Sequence, residues 1–203
     1  MLEIDDRRVL TDPGAFSDGF KDLSNLDLIL ITHEHADHLH TDSLKALVKN
    51  NPKAEIITNE SVGKILDTLN IEHDTIRDKE EREVAGLRLK AYDGKHVEII
   101  GNFGLVQNTG FLLEQGKFFY PGDAYTKPNE EVRVLAAPAA GPWCKVGEAI
   151  PYALSVKPRV VIPVHDAVLS KVGKEGVYAH FSRELGKVNI DFIIPQDGET
   201  VEL

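Results

Sequence analysis

Four of the chain's eight histidines, His33, His35, His38 and His40, fall within a single stretch of eight residues. Three of them belong to the run His33-Glu34-His35-Ala36-Asp37-His38, an H-x-H-x-D-H pattern. Imidazole nitrogen and carboxylate oxygen together suit a borderline divalent cation such as zinc. Residues two apart in an extended segment point to the same side, so His33 and His35 can share one ion. Asp37 and His38 are adjacent and diverge, so they can serve a second ion beside the first. The bland alternative is a solvated loop that happens to be rich in histidine.

A metal site needs a rigid support, and the flanking residues supply one. Residues 26–32 form a near-continuous apolar run, the signature of a strand buried on both faces. Leu44, Leu47 and Val48 follow with helical spacing; Thr41 or Asp42 can cap that helix, and Asn50-Asn51-Pro52 ends it. A strand is predicted at 54–58 and a helix at 61–69, with Val62, Ile65, Leu66 and Leu69 on one face. Residues 84–92 alternate like a strand. Residues 109–114 and 117–120 read as a hairpin turning at Gln115-Gly116. Further strands are predicted at 132–137, 159–164 and 190–194, and helices at 148–156 and 175–185. Strand–helix alternation around an antiparallel middle predicts an α/β chain with sheets inside and helices outside.

Composition narrows the function. The 203 residues are 42% hydrophobic and 28% charged, which describes a folded chain, and the length suits one domain spanning 1–203. No apolar run approaches the roughly 20 residues of a membrane span. The first residues lack the apolar core of a secretory signal. The single cysteine, Cys144, has no partner for an internal disulfide, so a cytoplasmic location is expected. With 23 basic and 33 acidic residues the net charge is −10. That charge repels phosphate backbones and anionic headgroups, so neither nucleic acid nor membrane is expected as a partner. A small anionic substrate held by a local cation remains compatible with it.

With these features in view, the chain resembles the metallo-β-lactamase superfamily of hydrolases along its whole length. Asp12-Pro13-Gly14 resembles that family's early turn, and His96 stands where its third histidine is expected. Gly122-Asp123, after Phe118-Phe119-Tyr120, resembles the segment whose aspartate bridges two metals. Ile162-Pro163-Val164-His165 resembles the last metal histidine at a strand end. The segment from Ala137 to Pro142 and the short length are similar to the compact branch that includes ascorbate-6-phosphate lactonase. The resemblance implies a four-layer αββα sandwich of two mixed β-sheets flanked by helices. It implies that His33, His35 and His96 hold one divalent ion, that Asp37, His38 and His165 hold another, and that Asp123 bridges them. Zinc is the expected metal, with manganese, nickel or iron as alternatives.

A site of that kind would carry a local excess of about one positive charge and would lower the pKa of water to about 7. The resulting metal-bridging hydroxide would attack a carbonyl or phosphoryl centre, with Asp37 orienting it and taking its proton. No G-x-S-x-G segment offers a serine nucleophile instead. The expected enzyme is a metal-dependent hydrolase of a small-molecule ester, lactone or amide. The alternatives are a phosphodiesterase on the same dinuclear site and, less favoured, a mononuclear-iron dioxygenase. A di-iron oxygen reductase would carry a carboxylate where this chain has His35. His40, His73 and His180 match no ligand position, although His40 is near enough to the loop to support it. Trp143 either covers apolar surface or forms a pocket wall. Relatives carry a further strand ahead of Leu2, so the first sheet is expected to lack an edge strand, and a homo-oligomer pairing that edge is one alternative.

Overall fold

The computed structural model describes residues 1–196 and 198–203. Two β-sheets account for its strands. The first contains β1 (Leu2–Ile4), β2 (Arg7–Thr11), β3 (Leu28–Ile31), β4 (Glu55–Thr58) and β5 (Asp74–Thr75) in sequence order. Only β1–β2 is antiparallel. The second has the order β12 (Asp191–Phe192), β11 (Val160–Val164), β10 (Val134–Pro138), β9 (Phe118–Tyr120), β8 (Gln107–Leu113), β7 (Leu87–Lys95) and β6 (Glu81–Val84). Its β9–β12 half is parallel and its β6–β9 half antiparallel. Both sheets are therefore mixed.

Side-chain alternation assigns the layers. Leu28 and Leu30 of β3 pack inward against the second sheet's Leu89, Phe111 and Val134. Ile29 and Ile31, one residue out of phase, pack outward with Leu44 and Leu47 of α1 (Thr41–Asn50) and Val62 and Leu66 of α2 (Glu60–Thr68). On the other side, Leu135, Ala137 and Val161 face Ala149 and Ala153 of α3 (Val146–Val156) and Phe181 and Leu185 of α4 (Lys171–Gly186). Helix, sheet, sheet and helix make four layers, and the near-continuous apolar run at 26–32 is explained by β3, Leu28–Ile31, being covered on both faces.

Several local expectations are refined. Leu2–Ile4 itself supplies the edge strand of the first sheet. The cap of α1 is His40, not Thr41 or Asp42, and its ring bonds Ser43 Oγ at 2.7 Å. The strand expected at 84–92 is two strands, folded at Ala85-Gly86, both with positive φ. Helix α4 starts at Lys171, earlier than expected, because Ser170 Oγ caps it by accepting from Gly173 N. Only two residues of 190–194 pair with the sheet. The turn at Gln115-Gly116 does join an antiparallel pair, β8–β9. Among the described residues, no helix is long and apolar enough to cross a membrane.

Candidate metal centre

Within each sheet the strands that lead to the site run in one direction, β2 and β3 in the first and β7, β9 and β11 in the second. The side chains of interest leave the ends of those strands: Asp12 after β2, His33 to His38 after β3, His96 after β7, Asp123 after β9 and His165 after β11. The structure brings all seven expected donors together. His33, His35 and His96 form one group, and Asp37, His38, Asp123 and His165 a second, with donor atoms in each lying within 4.8 Å of one another.

Asp123 joins the groups. Its Oδ2 lies 3.1 Å from Nε2 of His96 and 3.9 Å from Nε2 of His33 on one side, and 3.1 Å from Nε2 of His165 on the other. Its Oδ1 lies 3.1 Å from Nε2 of His38. The second carboxylate, Asp37, places Oδ2 3.2 Å from His165 Nε2 and 3.7 Å from His38 Nε2. Asp123 is buried, whereas the Asp37 side chain retains 24% exposure and is the carboxylate open to solvent.

Outer contacts fix which ring nitrogen faces the centre. His96 Nδ1 donates to the Val97 carbonyl at 2.5 Å, and His165 Nδ1 to the Ala140 carbonyl at 2.6 Å. His38 Nδ1 donates to Asp12 Oδ2 at 2.6 Å. His33 Nδ1 donates to Thr32 Oγ1 at 2.9 Å, and that hydroxyl donates onward to Asp12 Oδ2 at 2.7 Å. In all four rings Nδ1 is engaged outside the centre, which leaves Nε2 as the nitrogen that faces the shared space. Asp12 also accepts from Thr32 N at 2.8 Å and from the buried Tyr120 hydroxyl at 2.8 Å. The D-P-G turn thus contains a residue that supports both groups, a role the sequence reading did not give it.

The backbone around the site is shaped to bring these groups close. Asp12 and His165 have φ of 44° and 60°, in the left-handed region that side chains seldom occupy. Gly14 lies so close to the histidine loop that a Cβ there would sit 1.6 Å from the Asp37 carbonyl oxygen. Ala15 N donates to Ala36 O and His40 N to Pro13 O, which seals the two segments together. Buried Asn108 accepts from Asp123 N at 2.9 Å and donates to Pro121 O at 2.7 Å, holding the turn that presents Asp123. Glu34, which the pattern leaves variable, accepts from Ser61 Oγ at 2.8 Å and ties the loop to α2.

The electrostatics suit a cation. Burial, reinforced by the nearby His38 charge, pushes the His33 imidazole down to about 2, so it stays neutral and able to ligate. Burial opposes charge on His38 as well, but Asp12 and Asp123 outweigh it and raise the ring to about 10. His165 is likewise raised, to about 11, by Asp123 and Asp37 against its burial. Burial also disfavours ionised Asp37, yet the hydrogen bond with His165 and the His38 charge hold it down at about 2. The carboxylates that attract protons to two imidazoles present the same negative potential to a divalent ion. Two observations make the fit specific. His38 Nε2 is buried without a hydrogen-bond partner among the described residues, and His33 Nε2 faces His35 Nδ1 at 3.2 Å, an approach of two nitrogen donors that a shared cation satisfies.

The remaining candidates stand apart. His73 bonds the Ile71 carbonyl, and His180 is exposed beside Arg183. Cys144 is half-buried, its Sγ 3.5 Å from the Tyr125 hydroxyl, and is not among the converging donors.

Two facing mixed sheets with imidazole and carboxylate donors gathered at one end define the class of metallo-β-lactamase-fold, metal-dependent hydrolases. The chain belongs to it: the sequence model of the family described as beta-lactamase superfamily domain matches residues 1–165. Among relatives, Protein Rv0786c of Mycobacterium tuberculosis is 33% identical over 202 residues, covering 97% of this chain and 92% of that protein. A UPF0173 metal-dependent hydrolase of Thermoplasma acidophilum is 26% identical over 186 residues, covering 87% and 81%. Among solved structures, a metallo hydrolase from Ignicoccus hospitalis shares the fold with a TM-score of 0.74 at 17% identity, covering 98% of this chain and 91% of that one.

Proposed function

We propose that the chain is a dinuclear metallohydrolase that cleaves an ester, lactone or amide bond in a small molecule. The observation that carries this reading is the pair of donor groups sharing one buried carboxylate, Asp123. His33, His35 and His96 would hold one divalent ion, Asp37, His38 and His165 the other, and Asp123 would bridge; zinc suits the three-imidazole group. Such a pair, when bound, ionises water near neutral pH and polarises the bond to be broken. The protein's own groups do the rest. Asp12 and the Val97 and Ala140 carbonyls hold the imidazoles in one tautomer. Asp37, the partly exposed carboxylate of the site, is placed to receive the proton released by the attacking water.

The mouth bears on the substrate. Exposed apolar side chains follow the site residues along the chain: Phe16 after Asp12, Ile100, Phe103 and Leu105 after His96, and Val168 after His165, with Val172 in the first turn of α4. Ile100 and Phe103 pair across a tight turn, so their side chains share one face of the loop. This rim and the net charge of −10 favour a small substrate with an apolar substituent over a nucleic acid.

The test is turnover of zinc-loaded protein on a panel of lactones, esters and amides with bis-p-nitrophenyl phosphate alongside. Asp37→Ala is expected to cut turnover at least about a hundredfold with an unchanged circular dichroism spectrum. Near-normal turnover in that variant, or activity confined to the phosphodiester, would falsify this reading.

A further inference from the structure

Trp143 is the chain's one tryptophan, and it is 4% exposed. Its ring stands edge-on to one imidazole of each donor group, with centroids 5.5 Å from His96 and 5.6 Å from His165. Its Nε1 is buried and has no hydrogen-bond partner among the described residues. Buried N–H groups are rarely left in that state, and those that are call for an acceptor the protein itself does not provide. The nearby His165 Nδ1 cannot be that acceptor, because it donates to the Ala140 carbonyl.

Gly141 shows how closely the indole packs at this corner. Its φ is 155°, and a Cβ there would lie 3.1 Å from Trp143 Nε1 and 3.2 Å from both Cε1 and Nδ1 of His165. The bare glycine therefore lets the indole N–H edge and the outer edge of the His165 ring close onto the backbone. The chain leaves that N–H without an acceptor among the described residues, and the atom that suits a positive N–H edge is an electron-rich oxygen.

We infer that the Trp143 indole N–H is a hydrogen-bond donor to an oxyanion held at the metal pair, the class that includes a carboxylate product and the oxygen on which charge develops during acyl transfer. The inference rests on reading the site as a metal centre and adds a ligand contact that the seven donors do not supply. Shielded from bulk water, such a bond is stronger than its counterpart at the surface. It also gives Trp143 a role beyond covering apolar surface.

One tryptophan means one indole resonance, so a proton–nitrogen correlation spectrum of zinc-loaded, full-length protein reads this group alone. Titration with sodium acetate, and separately with inorganic phosphate, is expected to move the indole proton downfield to saturation. Trp143→Phe keeps an aromatic ring but removes the N–H together with part of the indole volume; it is expected to retain its zinc and bind phosphate about tenfold or more weakly, and the wild-type titration separates the lost N–H from the lost volume. An indole resonance that stays in place across both titrations overturns the inference, as does a well-folded Trp143→Phe protein with unchanged phosphate affinity. If that variant does not fold, the wild-type titration decides alone. The hydrolase reading fails by different signs, namely loss of zinc binding or turnover indifferent to Asp37, so the two outcomes are separable.

Discussion

Oδ2 of Asp12 accepts the Nδ1 proton of His38 at 2.6 Å, and through Thr32 Oγ1 the same oxygen supports His33. One carboxylate outside the donor set thus orients an imidazole in each group. Replacing Asp12 by Asn removes the charge and weakens the grip on both rings. Zinc affinity is expected to fall about 10- to 100-fold, read by competition with a chromophoric chelator. An unchanged affinity would show that the rings are held by packing alone.

Asp123 is the contact common to both groups, so its removal should cost more than that of any other single donor. On the proposed two-ion reading, Asp123→Ala is expected to bind at least one zinc ion per chain fewer than the unsubstituted protein, measured by elemental analysis after dialysis. Retention of two ions would rule out a bridging role.

Gly14→Ala tests the close approach of the D-P-G turn to the histidine loop. The added carbon would lie 1.6 Å from the Asp37 carbonyl oxygen, so the backbone must shift. A destabilisation of about 1–3 kcal/mol or more is expected from urea unfolding, accompanied by weaker zinc binding.

Removal of metal should lower stability, because the ions bind only where the donors converge. At free zinc 1,000 times its dissociation constant, binding stabilises the fold by about 4 kcal/mol. Chelation is expected to lower the melting temperature and zinc to restore it, followed by differential scanning calorimetry.

The apolar rim predicts a preference within a homologous ester series. KM should fall as the acyl chain lengthens, toward the roughly 0.8 kcal/mol available per buried methylene. Phe103→Ser should flatten that trend while leaving acetate-ester turnover close to the wild-type value. A wild-type KM independent of chain length would assign the rim to some other purpose.

His33 to His38 were legible from their spacing and most strands from their apolar runs, whereas the four layers and the convergence of His96, Asp123 and His165 on that loop were expected only from the resemblance to the family. The support beneath the donors was not. Asp12 meets partners 20, 26 and 108 positions away, and no local pattern reports such distances. The β6–β7 hairpin was hidden because Ala85, an ordinary residue, takes the left-handed conformation that usually marks glycine or asparagine. The start of α4 was obscured by Gly173 and Gly176, which lower helix propensity where the Ser170 cap prevails. For Trp143 the choice between apolar cover and pocket wall stayed open, because its neighbours His96 and His165 are 47 and 22 positions away in the chain.

The two sheets also divide the chain in order. Everything through Thr75 builds the first and everything from Glu81 builds the second, yet each donor group draws on both. His33 and His35 wait for His96, and Asp37 and His38 wait for Asp123 and His165. Neither half-sequence contains a complete coordination sphere, so the ions would act as a clasp that registers correct docking of one half on the other. A chain cut between Thr75 and Glu81 would recover its chemistry only on reunion of the fragments, and zinc would favour that reunion.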